Sequence, residues 1–297
     1  MRYLKPPLRF DEQADLLLGR GLHADRDVLI ERLQTVNYYR LSAYLYPYRQ
    51  AGSDDYRAGT TLDAVWRHYT FDRQLRFLVL DAIERVEVAV RAQAVCRFAE
   101  QHGAFGYLQQ HNFPHMSVSD HATWLADLRS EKRRSHEKFL QHFDRKYGDM
   151  HTMPPLWMMA ELMSFGRMLM FFNTIGAPLQ GRIAEEYGIS GHVLASWLHA
   201  LSVIRNICAH HARLWNRELG VKPVIPHKKK HPQWHEPVAI ANNRVFAILT
   251  ILRYLLRVVA PTSAWPNRFC NLLSRYPEID INNMGFPDNW ASSPLWQ

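Results

Sequence analysis

The amino-acid sequence predicts an all-α protein, a helical bundle preceded by a small helical N-terminal section. Apolar residues recur every three or four positions along most of the 297-residue chain, as they do on one face of an α-helix. No segment keeps the alternation of apolar and polar residues that a half-buried strand requires, and no internal repeat is visible. A chain of this length can bury a sizeable core.

Three short helices are predicted in the N-terminal section, residues 1–60. They correspond to the segments "FDEQADLLLGRG", "DRDVLIERLQTV" and "NYYRLSAYLYPYR". Pro47 stops the third helix, because proline lacks the N–H that an interior helical residue donates. A loop rich in Gly, Ser and Asp then separates this section from the bundle.

The predicted bundle occupies residues 61–260, and a tail, residues 261–297, is expected to pack on it with one further short helix at most. The longest periodic run predicts one long helix or two stacked ones, and the most apolar segment predicts a buried helix. In chain order, the predicted helices of the bundle cover residues 61–100, 117–148, 153–176, 178–188, 190–219 and 238–259.

The formal net charge of +8 favours polyanionic partners such as nucleic acid. Three widely spaced cysteines without a Cys-x-x-Cys pair indicate neither a zinc site nor a disulfide framework. The first residues lack a signal peptide's apolar run, and the most apolar window, residues 156–172, is too short to span a bilayer comfortably. We therefore expect a cytoplasmic protein without a membrane partner. The glycines form no phosphate-binding loop, which argues against a standard nucleotide-dependent enzyme.

A polar face lies on the segment "RNICAHHARLWNREL", residues 205–219, at the end of the helix predicted from 190 to 219. At about 100° per residue, one side of that helix is apolar and faces the core. The opposite side collects Asn206, His210, Arg213 and Arg217, with Arg205 on a flank. Arginine binds phosphate oxygens through a permanent charge, and histidine transfers protons near neutral pH. The face therefore offers the groups that phosphodiester chemistry needs.

Two features bear on how this face would work. No Glu or Asp occurs between Arg205 and Arg217, so its positive charge is not neutralised locally. Arg205 and His210 are five residues apart, so an ideal helix does not direct both side chains at one phosphate. A local distortion, the reach of a long side chain or a second copy of the motif would resolve this, and the last indicates a composite site in a dimer.

The remaining sequence features are a basic loop, a Met- and Trp-rich segment and two helical carboxylates. The loop "PHKKKHPQWHEP" carries Lys228, Lys229 and Lys230, which are predicted to follow a nucleic-acid backbone, with Trp234 available for base stacking. Its histidines are separated by prolines and no cysteine assists them, so no metal site is predicted. The Met- and Trp-rich segment "PPLWMMAELMSFGRMLMFF" is interpreted as core or dimer interface. Ordinary helix ion pairing explains the carboxylates Glu84 and Glu87, which have arginines nearby.

The block "RNICAHHARLWN" resembles the HEPN superfamily, whose signature is Arg-x(4–6)-His with a polar residue often following the arginine. More closely, the chain is similar to the Abi-like (AbiD/AbiF) abortive-infection family. The similarity extends over most of the chain. It is carried by "KPPLRFDEQADLLLGRGL", "VNYYRLSAYLYPYR", "YTFDRQLRFLVLDAIERVEVAVRAQ", "PPLWMMAELMSFGRM" and "SWLHALSVIRNICAHHARLWNREL".

The resemblance implies a HEPN-type helical bundle and a metal-independent endoribonuclease without cofactors, used in phage defence or toxin–antitoxin systems. Arg205, Asn206 and His210 would be its catalytic residues. A 2′-hydroxyl would attack the adjacent phosphate, His210 would act as general acid–base, Arg205 would stabilise charge, and Asn206 would orient His210 or contact the phosphate. The residues expected to bind RNA are His211, Arg213, Arg217, Lys228, Lys229 and Lys230.

The expected partners are an RNA substrate and a second copy of the chain, with a regulatory RNA or an antitoxin as a further partner. Two alternatives remain open. The first is a non-catalytic RNA-binding or interaction module that uses the same basic face. The second is a nucleotidyl-transferring toxin, which would need a nucleotide and a divalent metal.

Overall fold

The computed structural model describes residues 6–297, and over that range its regular structure consists of twelve α-helices and short 3-10 turns. The only bridges between extended backbones in this range are isolated ones. The predicted all-α fold class is therefore confirmed. The helices are α1 (Phe10–Gly19), α2 (Arg26–Val36), α3 (Tyr38–Leu45), α4 (Leu62–His102), α5 (Val118–Arg134), α6 (Lys138–Tyr147), α7 (Leu156–Met159), α8 (Phe165–Thr174), α9 (Ala177–Glu185), α10 (Gly191–Ala209), α11 (Val245–Val259) and α12 (Trp265–Arg275).

The described residues divide into two compact units. One contains the chain up to Phe77 together with Phe269–Asp280, and the other contains Leu78–Arg268 together with Ile281–Gln297. These units are defined by spatial contacts. The predicted ranges 1–60, 61–260 and 261–297 were placed at loops in the sequence, and they stay predictions.

The first unit is built on the apolar faces of α1, α2 and α3. Leu17, Leu29 and Leu33 are fully buried there. Asn37 forms the junction between α2 and α3, with a left-handed φ of 67° and a side chain that accepts a hydrogen bond from the Tyr39 N–H at 2.8 Å. One short polar side chain thus ends one helix and caps the next, which fixes the turn between them.

The second unit contains a cluster of aromatic rings and one almost completely buried helix. Phe98, Phe113, Trp124 and Phe171 pack together with ring centroids 5.1–6.1 Å apart. The first eight residues of α11 are buried. Helix α10 packs against α8, α9 and α11. Contacts on three sides therefore hold α10 in the core and leave its C-terminal end at the surface.

Several predicted helices are divided in the structure. The single helix predicted over 117–148 separates into α5 and α6, because Ser135 adopts an extended backbone. The helix predicted over 153–176 breaks where Met163 is extended and Ser164 caps α8. Most of this segment is buried, as predicted, although Trp157 is 51% exposed. The helix predicted from residue 238 begins only at Val245.

The predicted long run at residues 61–100 forms one continuous helix, α4, of 41 residues. The tail contains one further α-helix, α12, followed by two 3-10 turns. Within residues 6–297, no helix is both long enough and apolar enough to cross a membrane.

Candidate functional site

Helix α10 begins at a side-chain cap and ends in a left-handed turn. The Ser190 hydroxyl accepts a hydrogen bond from the Val193 N–H at 3.4 Å. At the other end, the Ala212 N–H donates to the Ile207 carbonyl at 2.9 Å and the His211 N–H donates to the Cys208 carbonyl at 3.0 Å. This pair of bonds is a Schellman motif. His211, with φ 58°, occupies the left-handed position that usually holds glycine.

The prediction that this helix continues to Leu219 is therefore wrong. Because the chain turns at His211, Arg213 and Arg217 lie outside the helix and do not share a helical face with Asn206 and His210. Leu214 and Trp215 are nevertheless buried, so the apolar periodicity continues into a loop that packs on the core. A periodic pattern alone does not distinguish these two cases, and a histidine is an uncommon residue at a left-handed helix end.

The segment after the turn is held by its own hydrogen bonds. The Arg217 Nε donates to the Arg213 carbonyl at 2.8 Å. The Asn216 side chain, whose backbone is also left-handed with φ 53°, accepts from Arg244 at 3.2 Å. Both Arg213 and Arg217 are half-buried. Both arginines follow the end of α10 closely in sequence, but contacts within the loop, and not the helix, determine where their side chains point.

The structure brings Arg205 and Asn206 together and places His210 one turn further along. The Arg205 Nη1 donates to the Asn206 Oδ1 at 3.2 Å. The His210 N–H donates to the Asn206 carbonyl at 2.9 Å, so His210 is the capping residue of the helix. Asn206 and His210 are exposed, and Arg205 is half-buried. We call these three residues the candidate site.

A buried ion pair on α4 lies next to the candidate site. Glu87 and Arg91 contact each other at 2.5 Å, and each side chain is only 13% exposed. Burial raises the pKa of the Glu87 carboxyl above its usual range, while the positive charges of Arg91 and Arg205 oppose that rise. Arg205 is therefore close enough to act electrostatically on Glu87.

The proximity of Arg205 to Glu87 was not predicted from the sequence. The pairing of Glu87 with Arg91, at i and i+4 on one helix, was correctly anticipated, whereas Arg85 pairs with Asp81 at 3.0 Å instead of with Glu84. The spacing in sequence carries no sign that Arg205, more than a hundred residues later, approaches the same carboxylate. A pattern within one helix does not predict a contact between residues so far apart in the sequence.

The "AELMSFG" segment is connected to the same ion pair. The Met163 carbonyl accepts a hydrogen bond from the Arg91 Nη2 at 3.2 Å. The next residue, Ser164, caps α8 by accepting from the Arg167 N–H at 3.4 Å. The break between α7 and α8 thus exposes a backbone carbonyl that fixes Arg91, and Arg91 in turn pairs with Glu87.

The basic loop after the candidate site is anchored by a buried tryptophan. Trp234 is fully buried and packs against Trp197 of α10 and Tyr254 of α11, with ring centroids 5.1 and 5.5 Å away. The proposed use of Trp234 for base stacking is therefore wrong. Just before the loop, the Val224 carbonyl accepts a hydrogen bond from the Trp197 indole at 2.8 Å. These contacts attach the loop to α10.

The three lysines of this loop, Lys228–Lys230, are exposed. Lys228 pairs with Glu236 within the loop, which leaves Lys229 and Lys230 without a carboxylate partner in the part of the chain that the structure describes. His211 is exposed as well, at the turn that ends α10. Among residues 6–297, no three or more His, Cys, Asp or Glu side chains are grouped so as to hold a metal ion.

A family model described as Abi-like protein matches residues 31–216. That range is more than half of the chain, so the chain belongs to the Abi-like protein family. It includes the candidate site and Glu87. Membership of this family suggests a role in abortive infection, a defence against phage. No curated protein and no solved structure matches the chain with significance.

Proposed function

We propose that this protein is a metal-independent endoribonuclease of the HEPN superfamily, acting in phage defence as an AbiD/AbiF-type toxin. The observation that supports the proposal is the candidate site itself. An arginine bonded to an asparagine, with an exposed histidine one turn beyond, lies at the surface end of a helix whose apolar face is buried in the core. Arginine can stabilise developing negative charge and histidine can transfer protons, which are two functions that phosphate transfer without a metal needs.

In the proposed reaction, the RNA 2′-oxygen attacks the adjacent phosphorus, and the bond from phosphorus to the 5′-oxygen breaks. The products are a 2′,3′-cyclic phosphate and a 5′-hydroxyl. A neutral His210 takes the proton of the 2′-hydroxyl, and a protonated His210 gives a proton to the departing 5′-oxygen. Because the RNA supplies the nucleophile, DNA is not a substrate.

A dimer supplies both proton-transfer roles. The entering and departing oxygens lie on opposite sides of the phosphorus, so one imidazole does not reach both. Two copies of the chain, each contributing its His210, would provide a base on one side and an acid on the other. The five-residue separation of Arg205 and His210 supports this composite arrangement.

Arg205 and the basic residues around it have separate roles in the proposal. Arg205 stabilises the charge that develops on the non-bridging phosphate oxygens, and the nearby Glu87 carboxylate attracts its guanidinium. Asn206 accepts from Arg205, so it links the arginine to the turn that carries His210. Lys229 and Lys230, with His211, Arg213 and Arg217, would contact the flanking RNA backbone.

The test is cleavage of total RNA in EDTA by the wild type and by His210→Ala. A matched control is His199→Ala, because His199 is an exposed histidine on the same helix. We expect the wild type and His199→Ala to leave cyclic-phosphate ends, and His210→Ala to bind RNA with unchanged affinity but to cleave at least about a hundredfold more slowly.

Other outcomes identify the alternatives. If His210→Ala cleaves as fast as the wild type, the assignment of His210 is wrong. If RNA binds equally to both proteins and neither cleaves it, the basic surface is an interaction module. Transfer of a nucleotide to a partner that requires a divalent metal would identify a nucleotidyl-transferring toxin instead.

A further inference from the structure

Exposed apolar residues form a stripe along α4 that turns around the helix by about 40° at each step of four residues and has a carboxylate at each end. Val88, Ala92 and Cys96 follow each other at intervals of four residues, and all are exposed. Glu84 and Glu100 continue the same interval in both directions and are exposed too. At 1.5 Å per residue, the stripe from Glu84 to Glu100 is about 24 Å long.

The part of the stripe from Val88 to Glu100 forms the floor of a groove that α7 closes on one side, and Glu84 lies one step beyond it. The groove has a volume of about 510 Å³, and its walls are mostly apolar. Trp157, which is 51% exposed, stands on the α7 side next to Glu161, and Val88 on the floor is also 51% exposed. We call this feature the α4 groove. An exposed tryptophan beside exposed aliphatic side chains is typical of a surface that a partner covers.

The charge around the α4 groove is negative. The nearby arginines of α4 are engaged by other carboxylates: Arg91 by Glu87, and Arg97 by Glu186 at 2.7 Å. Three other carboxylates have no such partner. Within residues 6–297, no Lys or Arg lies within ion-pair distance of Glu100 and Glu161, which line the groove, or of Glu84 at the far end of the stripe. Glu100 accepts only the weak hydrogen bond of the Cys96 thiol, at 3.4 Å. RNA, which is an anion, is therefore a poor occupant.

The same charges disfavour a second copy of the chain as the occupant. A two-fold contact places the same surface of both copies face to face. If the two stripes ran in opposite directions, Glu84 of one copy would meet Glu100 of the other. If they ran in the same direction, each glutamate would meet its own counterpart. Either arrangement opposes like charges at both ends of the contact.

We infer that the α4 groove binds an amphipathic helix of a partner protein, one with an apolar stripe and basic residues at both ends. Such a helix would bury Val88, Ala92 and Trp157 and would pair its basic ends with Glu84 and Glu100. Arg91 lines the groove and also holds Glu87, so the bound helix would lie next to the residues that position Arg205. Control of the candidate site by this contact rests on the proposed function, whereas the binding itself does not.

Binding can be tested with two synthetic amphipathic peptides of about 18 residues that share one leucine stripe. One carries lysines at both ends and the other carries glutamates. We expect fluorescence anisotropy to show that the lysine-ended peptide binds the full chain roughly tenfold more tightly, because its two ion pairs become two repulsions in the other peptide. Glu84→Gln with Glu100→Gln should remove most of that difference. Equal binding of the two peptides would contradict the inferred charge recognition.

The exposed cysteines report where the peptide binds. Cys96 lies in the groove and Cys270 lies in the other unit, while Cys208 is buried. Glu100 raises the pKa of the Cys96 thiol, so alkylation rates are compared with and without peptide at one pH. At about ten times its Kd, the lysine-ended peptide should slow alkylation of Cys96 about tenfold and leave Cys270 unchanged. Unchanged alkylation of Cys96 at saturating peptide would overturn the inference.

Matched variants complete the test. Ala92→Arg places a large cation on the groove floor and should abolish peptide binding and Cys96 protection. Ala126→Arg, at an exposed position of α5, introduces the same side chain elsewhere and should have no effect. If Cys96 becomes protected when the protein alone is concentrated, a second copy covers the groove and the inference is wrong. Protection by a short RNA would contradict it equally, and neither result depends on whether the protein cleaves RNA.

Discussion

Arg205 approaches a carboxylate that is largely withdrawn from solvent. Glu87 has Arg91 as its direct partner and Arg205 as a second positive neighbour. Arg91 is held from the other side by the Met163 carbonyl. These contacts fix the place of the Glu87 carboxylate, and a fixed negative charge near Arg205 favours one orientation of its guanidinium. Under the proposed function, Glu87 is therefore a positioning residue that acts through Arg205.

The first prediction concerns Glu87→Gln, which keeps the side-chain shape and removes the charge. We expect kcat for RNA cleavage to fall about tenfold or more and KM to change less, because a misplaced arginine affects the transition state most. Steady-state kinetics would measure this, with Glu185→Gln, an exposed carboxylate on α9, as the control. Equal losses in both variants would point to a general effect of charge.

The pH dependence gives an independent measure of the same residue. Because burial raises the pKa of Glu87, its carboxylate takes up a proton at a higher pH than an ordinary glutamate does. As the pH falls through that pKa, the wild type loses the charge that Glu87→Gln already lacks. The ratio of the two rates should therefore approach one on acidification. A ratio that stays constant with pH would show that the charge of Glu87 is not what positions Arg205.

At the scale of helices, the start of α10 was easier to predict than its end. Ser190 is a strong N-cap residue, and α10 begins directly after it. The end at Ala209 depends on His211 adopting a left-handed backbone, which neither its residue type nor the apolar periodicity around it indicates. The break before α8 was equally hard to predict. The apolar run continues through it, and only Ser164, the N-cap of α8, marks it.

The second prediction tests that left-handed turn. His211→Gly and His211→Ala both remove the imidazole, and they differ only in the backbone freedom of the new residue. We expect the glycine variant to be more stable than the alanine variant by about 1 kcal/mol, because alanine pays the cost of a left-handed φ and glycine does not. Urea denaturation would measure the difference. Equal stabilities would mean that the helix does not turn at residue 211.

The third prediction tests the junction between α2 and α3. Asn37→Ala removes the side-chain acceptor of the Tyr39 N–H and leaves a residue that tolerates φ 67° less well. We expect a loss of about 1–2 kcal/mol in the free energy of unfolding. Asn37→Asp retains the acceptor and should recover most of that loss. A neutral Asn37→Ala would show that neither the cap nor the backbone conformation is needed.

For the molecule as a whole, the positive net charge and the anchored basic loop favour the same kind of ligand. The composition predicted a polyanionic partner, and the exposed lysines show where part of that charge is accessible. The candidate site was predicted in part, because Arg205, Asn206 and His210 adjoin one another in a single segment of chain. The contribution of α4 could not be predicted, since it depends on packing between residues far apart in the sequence.

The fourth prediction tests whether RNA binding depends on the charge of the basic loop or on the net charge of the whole protein. In a His210→Ala background, replacing Lys228, Lys229 and Lys230 by alanine should weaken single-stranded RNA binding and reduce the slope of log K against log salt by about 2. The matched control replaces Arg133, Arg134 and Lys138, which are exposed on α5 and α6 and carry the same charge in total. Equal effects of both triple variants would assign the binding to net charge alone.

The buried indole of Trp234 anchors the basic loop, whereas the exposed residues of that loop are not part of the core. It fastens the loop to α10 and α11, so the residues between Pro226 and Trp234 contribute little to the core. Substitutions and changes of length there leave the fold and the end of α10 intact. Under the proposed function, that short stretch can therefore be exchanged without loss of the candidate site, and its side chains would help to set which RNA the protein prefers.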